Sequence, residues 1–231
     1  VGHSVTGARG GIYALRLLRA LIIEGHNVSV ILSRFGRYVL REETDLAVGA
    51  DLQETLVALY GSSAANGTLT EYKIGDLAAP IASGSVPNEG MVVIPCSMKS
   101  LAAIVHGTSS NLIERAADVT LKESRPLVLV PRETPLNLIH LRNLLAAGEV
   151  GAQIVPAMPA FYTKPSTFED LADFIAGRVL NLLGIKHSLF EPQAIAALLR
   201  RYYAGEQQLA DRVWNLVSFQ RWYTNCFAGS R

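Results

Sequence analysis

Apolar residues return along this chain in two alternating rhythms. Short runs at 28–32, 91–95 and 126–130 have the length and branched composition of buried strands. The last contains Leu127-Val128-Leu129-Val130 without a polar break. Between such runs, apolar positions come every three or four residues, as on one face of a helix. Ala14, Leu17, Leu18 and Leu21 share such a face, with Arg16, Arg19 and Glu24 at polar positions, and Gly25 is a natural stop. The opening therefore reads as a strand at 1–6, a glycine-rich turn at 6–11, a helix and a strand at 28–32, the βαβ unit of a parallel sheet. The alternation continues with a helix at 52–60, a strand at 68–74 and a small-residue loop at 78–90 containing Ala82-Ser83-Gly84-Ser85. It then gives a strand at 91–95, helices at 101–106 and 111–122, a strand at 126–130, a helix at 135–149 and a strand at 153–155. A helix at 168–183 begins at a Ser166-Thr167 cap. The pattern predicts a doubly wound α/β domain over residues 1–187, Rossmann- or flavodoxin-like, with a parallel sheet and helices on both faces.

Residues 188–231 depart from this rhythm. Ile195, Leu198 and Leu199 fall together in an amphipathic stretch over 194–203, and Val213, Trp214, Val217 and Phe219 suggest another helical piece. Both tryptophans, Trp214 and Trp222, lie in this tail. A helical C-terminal extension that packs on the core or on a neighbour is expected.

Composition narrows the function. With 231 residues, 49% of them hydrophobic, the chain can bury a core without a metal or disulfide staple. Lys+Arg 21 against Asp+Glu 20 gives a net charge of +1, which argues against a nucleic-acid surface as its main business but leaves room for a local cationic pocket. Cys96 and Cys226 are too few for a disulfide framework and lack zinc spacing, which points to a reducing, cytoplasmic compartment. No apolar run approaches the length of a membrane span, and the opening residues lack the features of a signal peptide. His3, His26, His106, His140 and His187 have no metal-ligand spacing, so each reads as structural or solvent-facing.

In an open parallel sheet, ligands bind at the carboxyl ends of the strands. Those ends carry Gly7-Ala8-Arg9-Gly10, Ser33-Arg34, Cys96-Ser97-Met98-Lys99-Ser100, Arg132-Glu133 and the segment leading to Phe161-Tyr162. Backbone N–H groups, hydroxyls and cations recur there, as a phosphorylated ligand such as a nucleotide requires. Each signal alone is weak. The first turn is not the dinucleotide fingerprint, because its third glycine would fall at Tyr13, and there is no GxxxxGK[ST] loop. Cys96 reads as a buried small hydrophobe rather than a nucleophile.

Together the segments are more specific. Thr6-Gly7-Ala8-Arg9-Gly10, Ala82-Ser83-Gly84-Ser85, Pro95-Cys96-Ser97-Met98-Lys99-Ser100-Leu101, Asn111-Leu112-Ile113-Glu114-Arg115-Ala116-Ala117-Asp118-Val119 and Pro126-Leu127-Val128-Leu129-Val130-Pro131-Arg132-Glu133-Thr134-Pro135 resemble the UbiX family of flavin prenyltransferases over residues 1–187. The resemblance implies a metal-independent enzyme that transfers a dimethylallyl group from dimethylallyl monophosphate to N5 and C6 of reduced FMN. The product, prenylated FMN, would serve a UbiD-type decarboxylase, as in ubiquinone synthesis. It also implies a homo-oligomer, usually a dodecamer, with active sites at subunit junctions. By the same resemblance, Gly7, Ala8, Arg9, Ser33, Ser97, Met98, Lys99, Ser100 and Arg132 would hold FMN. Lys122, Arg132, Tyr162 and Arg178 would hold the prenyl phosphate, and Glu43 and Glu133 would be the catalytic carboxylates. Such cations suit a dianionic leaving group, and such carboxylates suit the proton movements of ring closure.

One position departs from the family. Its motif is Gly-Ala-Ser-Gly, and Arg9 stands at the serine. Arginine is larger and permanently charged. Either it swings outward, FMN still binds and turnover falls, or it pairs with Glu43, the site is closed and the chain is a non-catalytic FMN-binding or assembly subunit. A related peptidyl-cysteine decarboxylase is disfavoured, since Pro95-Cys96-Ser97-Met98-Lys99 replaces the Pro-Ala-Ser-Ala-Asn-Thr segment expected there.

Overall fold

The computed structural model describes residues 2–5, 10–44, 51–161, 165–185, 199–210 and 213–214. The chain divides into two compact units, Val1–His187 and Ser188–Arg231. Within the first, strands β1 (Gly2–Val5), β2 (Asn27–Leu32), β3 (Thr68–Tyr72), β4 (Met91–Cys96), β5 (Leu127–Pro131) and β6 (Gln153–Ile154) form one sheet in the order β3-β2-β1-β4-β5-β6. Every pairing is parallel. The chain winds outward from β1 through β2 to β3, then returns to β4 on the other side of β1. The switch point of the sheet therefore lies between β1 and β4.

Helices α1 (Gly11–Ile23), α2 (Arg34–Thr44), α3 (Leu52–Tyr60), α4 (Met98–Val105), α5 (Leu112–Lys122), α6 (Leu138–Glu149) and α7 (Phe168–Leu182) make the crossovers. Strand periodicity sorts the core into two layers. Val92, Ile94, Val128 and Val130 face one layer with Leu17, Leu18 and Leu21 of α1 and Ile175 and Val179 of α7. Met91, Val93, Leu127 and Leu129 face the other, with Leu101 of α4 and Leu112 and Ala116 of α5. β4 and β5 are buried at every position, which explains their unbroken apolar sequence. In the first layer, the Arg16 guanidinium donates to both carboxylate oxygens of Asp173 at 2.6 and 2.5 Å, tying α1 to α7.

The predicted strands and most helices appear within a few residues of their expected limits. α4 starts at Met98, three residues before the expected helix, because the Ser97 side chain caps it. Among the described residues of the first unit, three elements were not anticipated. One is α2, whose sequence is mostly polar. The others are single 3-10 turns, Ser62–Ala65 after α3 and Pro80–Ala82 inside the expected loop at 78–90. Gly67 shows why β3 begins where it does. A Cβ there would lie 2.3 Å from the His26 carbonyl oxygen, so only glycine lets the chain pass.

In the second unit, residues 199–203 are helical and Gln207–Leu209 forms a 3-10 turn, with residues 213–214 again helical. Residues 194–198, Val217, Phe219 and Trp222 of the expected tail helices lie outside the described residues. Among the described residues, no helix is long and apolar enough to cross a membrane.

Candidate active site

The carboxyl ends of β1, β2, β4 and β5 share one edge of the sheet, and three helices start there. Ser33 follows β2 and caps α2, its Oγ accepting the Gly36 N–H at 2.9 Å. Ser97 follows β4 and caps α4. Its Oγ accepts the Ser100 N–H at 3.2 Å and donates to Ser100 Oγ at 3.1 Å. Met98 and Lys99 occupy the first turn of α4, where backbone N–H groups have no intrahelical partner. Arg132 follows β5, and its N–H reaches the Cys96 carbonyl at 3.4 Å, which places it beside the α4 cap. Burial raises the Tyr13 hydroxyl pKa and the nearby Arg132 charge partly offsets that, so α1 also borders this place. Glu133 is next in the chain, exposed, with its Oε1 accepting the Thr134 N–H at 3.0 Å.

α1 begins without a cap of its own. Gly10 adopts φ 111° at the N-cap position and has no side chain to offer. Glu43, from the last turn of α2, supplies the cap across the sheet edge. Its Oε2 accepts the Gly10 and Gly11 N–H groups at 2.8 and 2.7 Å, and its Oε1 lies 3.1 Å from the Gly10 nitrogen. A carboxylate suits that helix end, where the dipole is positive. Glu43, which the sequence presents within an Arg41-Glu42-Glu43 charge run, is therefore anchored to the Gly10-Gly11 turn at the start of α1.

The site residues named from the sequence do not all come together. Ser33, Glu43, Ser97, Met98, Lys99, Ser100, Arg132 and Glu133 lie along the carboxyl edge. Lys122 does not. It sits in the last turn of α5, 3.8 Å from Glu123. That helix runs back toward the start of β5, where Arg125 donates to the Gly84 and Val86 carbonyls at 2.8 and 2.9 Å. Lys122 is thus at the opposite, amino edge of this protomer's sheet, beside the 78–90 loop. Arg178 is exposed on α7. It lines an open groove of about 400 Å³ with Ile154, Val155, Pro156, Met158 and Phe174. Gly7, Ala8, Arg9 and Tyr162 lie outside the described residues.

Cys96 is fully buried, and burial pushes its thiol up to about 12, so no thiolate forms near neutral pH. Among the described residues, no three His, Cys, Asp or Glu side chains gather as a metal site.

Sequence reasoning missed a buried carboxylate close to the site. Glu114 is 2% exposed, in the first turn of α5. It accepts the Asn111 side-chain amide at 2.7 Å, the Ser110 N–H at 2.8 Å and the Thr108 hydroxyl at 3.0 Å, with Lys99 Nζ at 3.4 Å. The spacing Asn111-x-x-Glu114 was the available signal, since it is a capping-box pattern. Burial alone would raise the Glu114 pKa, but the hydrogen bonds from Ser110 and Thr108 and the Lys99 charge bring it below its ordinary value. A carboxyl lowered on folding contributes stability that is complete above its unfolded pKa of about 4.3 and is lost as pH falls through the folded value. Melting curves recorded as the pH drops below about 4.3 should therefore fall more steeply for the wild type than for Glu114→Gln; parallel slopes would contradict this.

The comparisons agree on one lineage. The Flavoprotein family matches residues 1–180. Flavin prenyltransferase UbiX of Halalkalibacterium halodurans is 46% identical over 187 residues, covering 80% of this chain and 89% of that protein. The crystal structure of AnUbiX (PadA1) in complex with FMN and dimethylallyl pyrophosphate superposes with a TM-score of 0.73 at 41% identity, covering 82% of this chain and 94% of that one. A dodecameric FMN-dependent UbiX-like decarboxylase from Escherichia coli O157:H7 gives 0.71 at 39% identity, covering 82% and 97%. None of these matches spans the whole chain. The doubly wound sheet, the ligand-binding edge at its switch point and these likenesses together place the chain in the UbiX family of flavin prenyltransferases.

Proposed function

We propose that this chain transfers a dimethylallyl group from dimethylallyl monophosphate to reduced FMN, and that the product serves a UbiD-type decarboxylase. The carrying observation is the carboxyl edge at the β1–β4 switch, which carries the Ser97–Ser100 cap, Lys99 and Arg132 and where Glu43 anchors the Gly10-Gly11 turn. The donor set fits FMN, since a helix N-terminus with two hydroxyls and a lysine suits a phosphate, and a cation beside the sheet edge suits a flavin carbonyl. FMN, when bound, supplies the N5 and C6 atoms that accept the five-carbon unit.

The chain's own groups do the rest. Ser33, Ser97, Met98, Lys99 and Ser100 hold the FMN ribityl phosphate, with Gly7, Ala8 and Arg9 against the flavin. Arg132 and Arg178 hold the prenyl phosphate and stabilise the charge it gains on leaving, with Tyr162 adding a hydroxyl. The groove beside Arg178, lined by Ile154, Val155, Pro156, Met158 and Phe174, offers an apolar surface that suits a five-carbon chain. Glu43 and Glu133 take and return protons. Lys122, at the opposite edge, serves the site of an adjoining subunit. A homo-oligomer, dodecameric as in the Escherichia coli neighbour, makes that junction, and the exposed Leu138, Ile139, Leu141 and Leu145 of α6 are surface for such contacts. The work is placed in the cytoplasm, where reduced flavin is available.

Anaerobic incubation with reduced FMN and dimethylallyl monophosphate, followed by mass spectrometry of the released flavin, tests this. A gain of one five-carbon unit is expected. Bound but unmodified FMN would favour the non-catalytic subunit implied by Arg9. No bound flavin would reject the flavin site. A parallel run with the diphosphate identifies the donor.

A further inference from the structure

We propose that Glu114 is a positioning residue: it holds the Lys99 ammonium beside the α4 N-terminus, poised for the phosphate of FMN. This rests on the reading that Lys99 faces that phosphate.

The argument starts from the asymmetry of the pair. The Glu114 side chain is 2% exposed, whereas that of Lys99 is 79% exposed. Three of the donors to Glu114 come from Thr108, Ser110 and Asn111, all in the link between α4 and α5. That link is tightly formed, with Gly107 at φ 62° and Ser109 at φ 46°. These bonds fix the carboxylate in place, and those from Ser110 and Thr108 lead the lowering of its pKa, to which the Lys99 charge adds. The lysine contact, at 3.4 Å, is the longest of the four and adds nothing that the cap needs. Its effect is on the lysine. A free lysine ammonium roams widely, and binding an anion must first restrict it. Leaning on a buried fixed charge, Lys99 spends one N–H on Glu114 and keeps two for an incoming anion. The carboxylate's own charge is offset by its donors and by the positive end of α5, so the outermost charge at this place remains that of Lys99. With its pKa lowered, Glu114 is ionised at neutral pH.

Titration of flavin fluorescence with the full chain separates the possibilities, using FMN and riboflavin, which lacks the phosphate. Lys99→Met is expected to weaken FMN about 10–100-fold, as for a lost charge-assisted hydrogen bond. Glu114→Gln is expected to weaken FMN about 2–5-fold and to leave riboflavin affinity unchanged. Added to Lys99→Met, Glu114→Gln should cause no further loss. The proposal is overturned if Glu114→Gln leaves FMN affinity intact, weakens both flavins alike, or acts equally in the Lys99→Met background. Should Glu114→Gln not fold, Glu114→Asp keeps the charge but withdraws it by one methylene, and the same selective loss of FMN is required. If Lys99→Met itself leaves FMN affinity unchanged, the underlying reading of Lys99 fails. A loss with Lys99→Met but none with Glu114→Gln overturns only the role of Glu114.

Discussion

Replacing Arg132 by methionine is expected to lower kcat/KM for prenyl transfer by about 10²–10³-fold, the usual loss when one fixed donor is removed from a developing charge. Arg132 follows β5 beside the α4 cap, and its backbone is pinned to the Cys96 carbonyl at the end of β4. Methionine keeps most of the stem, so packing at this half-buried position is largely retained. The melting temperature should therefore stay close to the wild type. Steady-state kinetics with saturating reduced FMN measures the loss. A change of less than about threefold, well inside the spread of ordinary surface substitutions, would remove Arg132 from the reacting centre.

Leu18→Ala is expected to cost the first unit about 3–4 kcal/mol and to lower its melting temperature by about 10 °C. Leu18 is fully buried in the layer formed by α1 and α7 on the sheet. Its neighbours are held by the fixed strands β4 and β5, so the space left by four heavy-atom positions less one cannot collapse readily. The loss combines transfer and cavity contributions. Thermal unfolding followed by circular dichroism reads it directly. A cost below about 1 kcal/mol would mean that this helix face is not packed as described.

The parts of the fold legible in the sequence were those in which one residue pattern meets one environment. β4 and β5 are buried on both faces, so their runs are wholly apolar and stand out. α1 and α5 have broad apolar faces and were equally plain. α2 was not, because only a few of its side chains, Val39 and Leu40 among them, turn inward, while Arg34, Arg37, Arg41, Glu42 and Glu43 dominate its sequence. Its helix depends on the Ser33 cap and on packing against α1, neither of which leaves a periodic trace. The site divides similarly. The rule that ligands gather after strand ends located Ser33, Ser97 and Arg132 without a structure. The grip of Glu43 on Gly10 and Gly11 spans 33 and 32 residues, and nothing local announces it. The distance of Lys122 from the other residues was not foreseen, and its cause is helix direction, since a crossover helix that leads into β5 ends at the amino edge.

The central place of β1 has a consequence for the moment of synthesis. β2 reaches it after a single helix, but β4 is made only after the stretch from Leu32 to Met91 has left the ribosome. At about 5–20 residues per second, that interval lasts several seconds. Throughout it, the β4-facing side of β1 presents backbone donors and acceptors with no partner strand. The nascent chain is then a two- or three-stranded sheet with its future centre as an open rim. The interval in which this protein can most easily pair with the wrong strand opens during translation and closes when β4 docks.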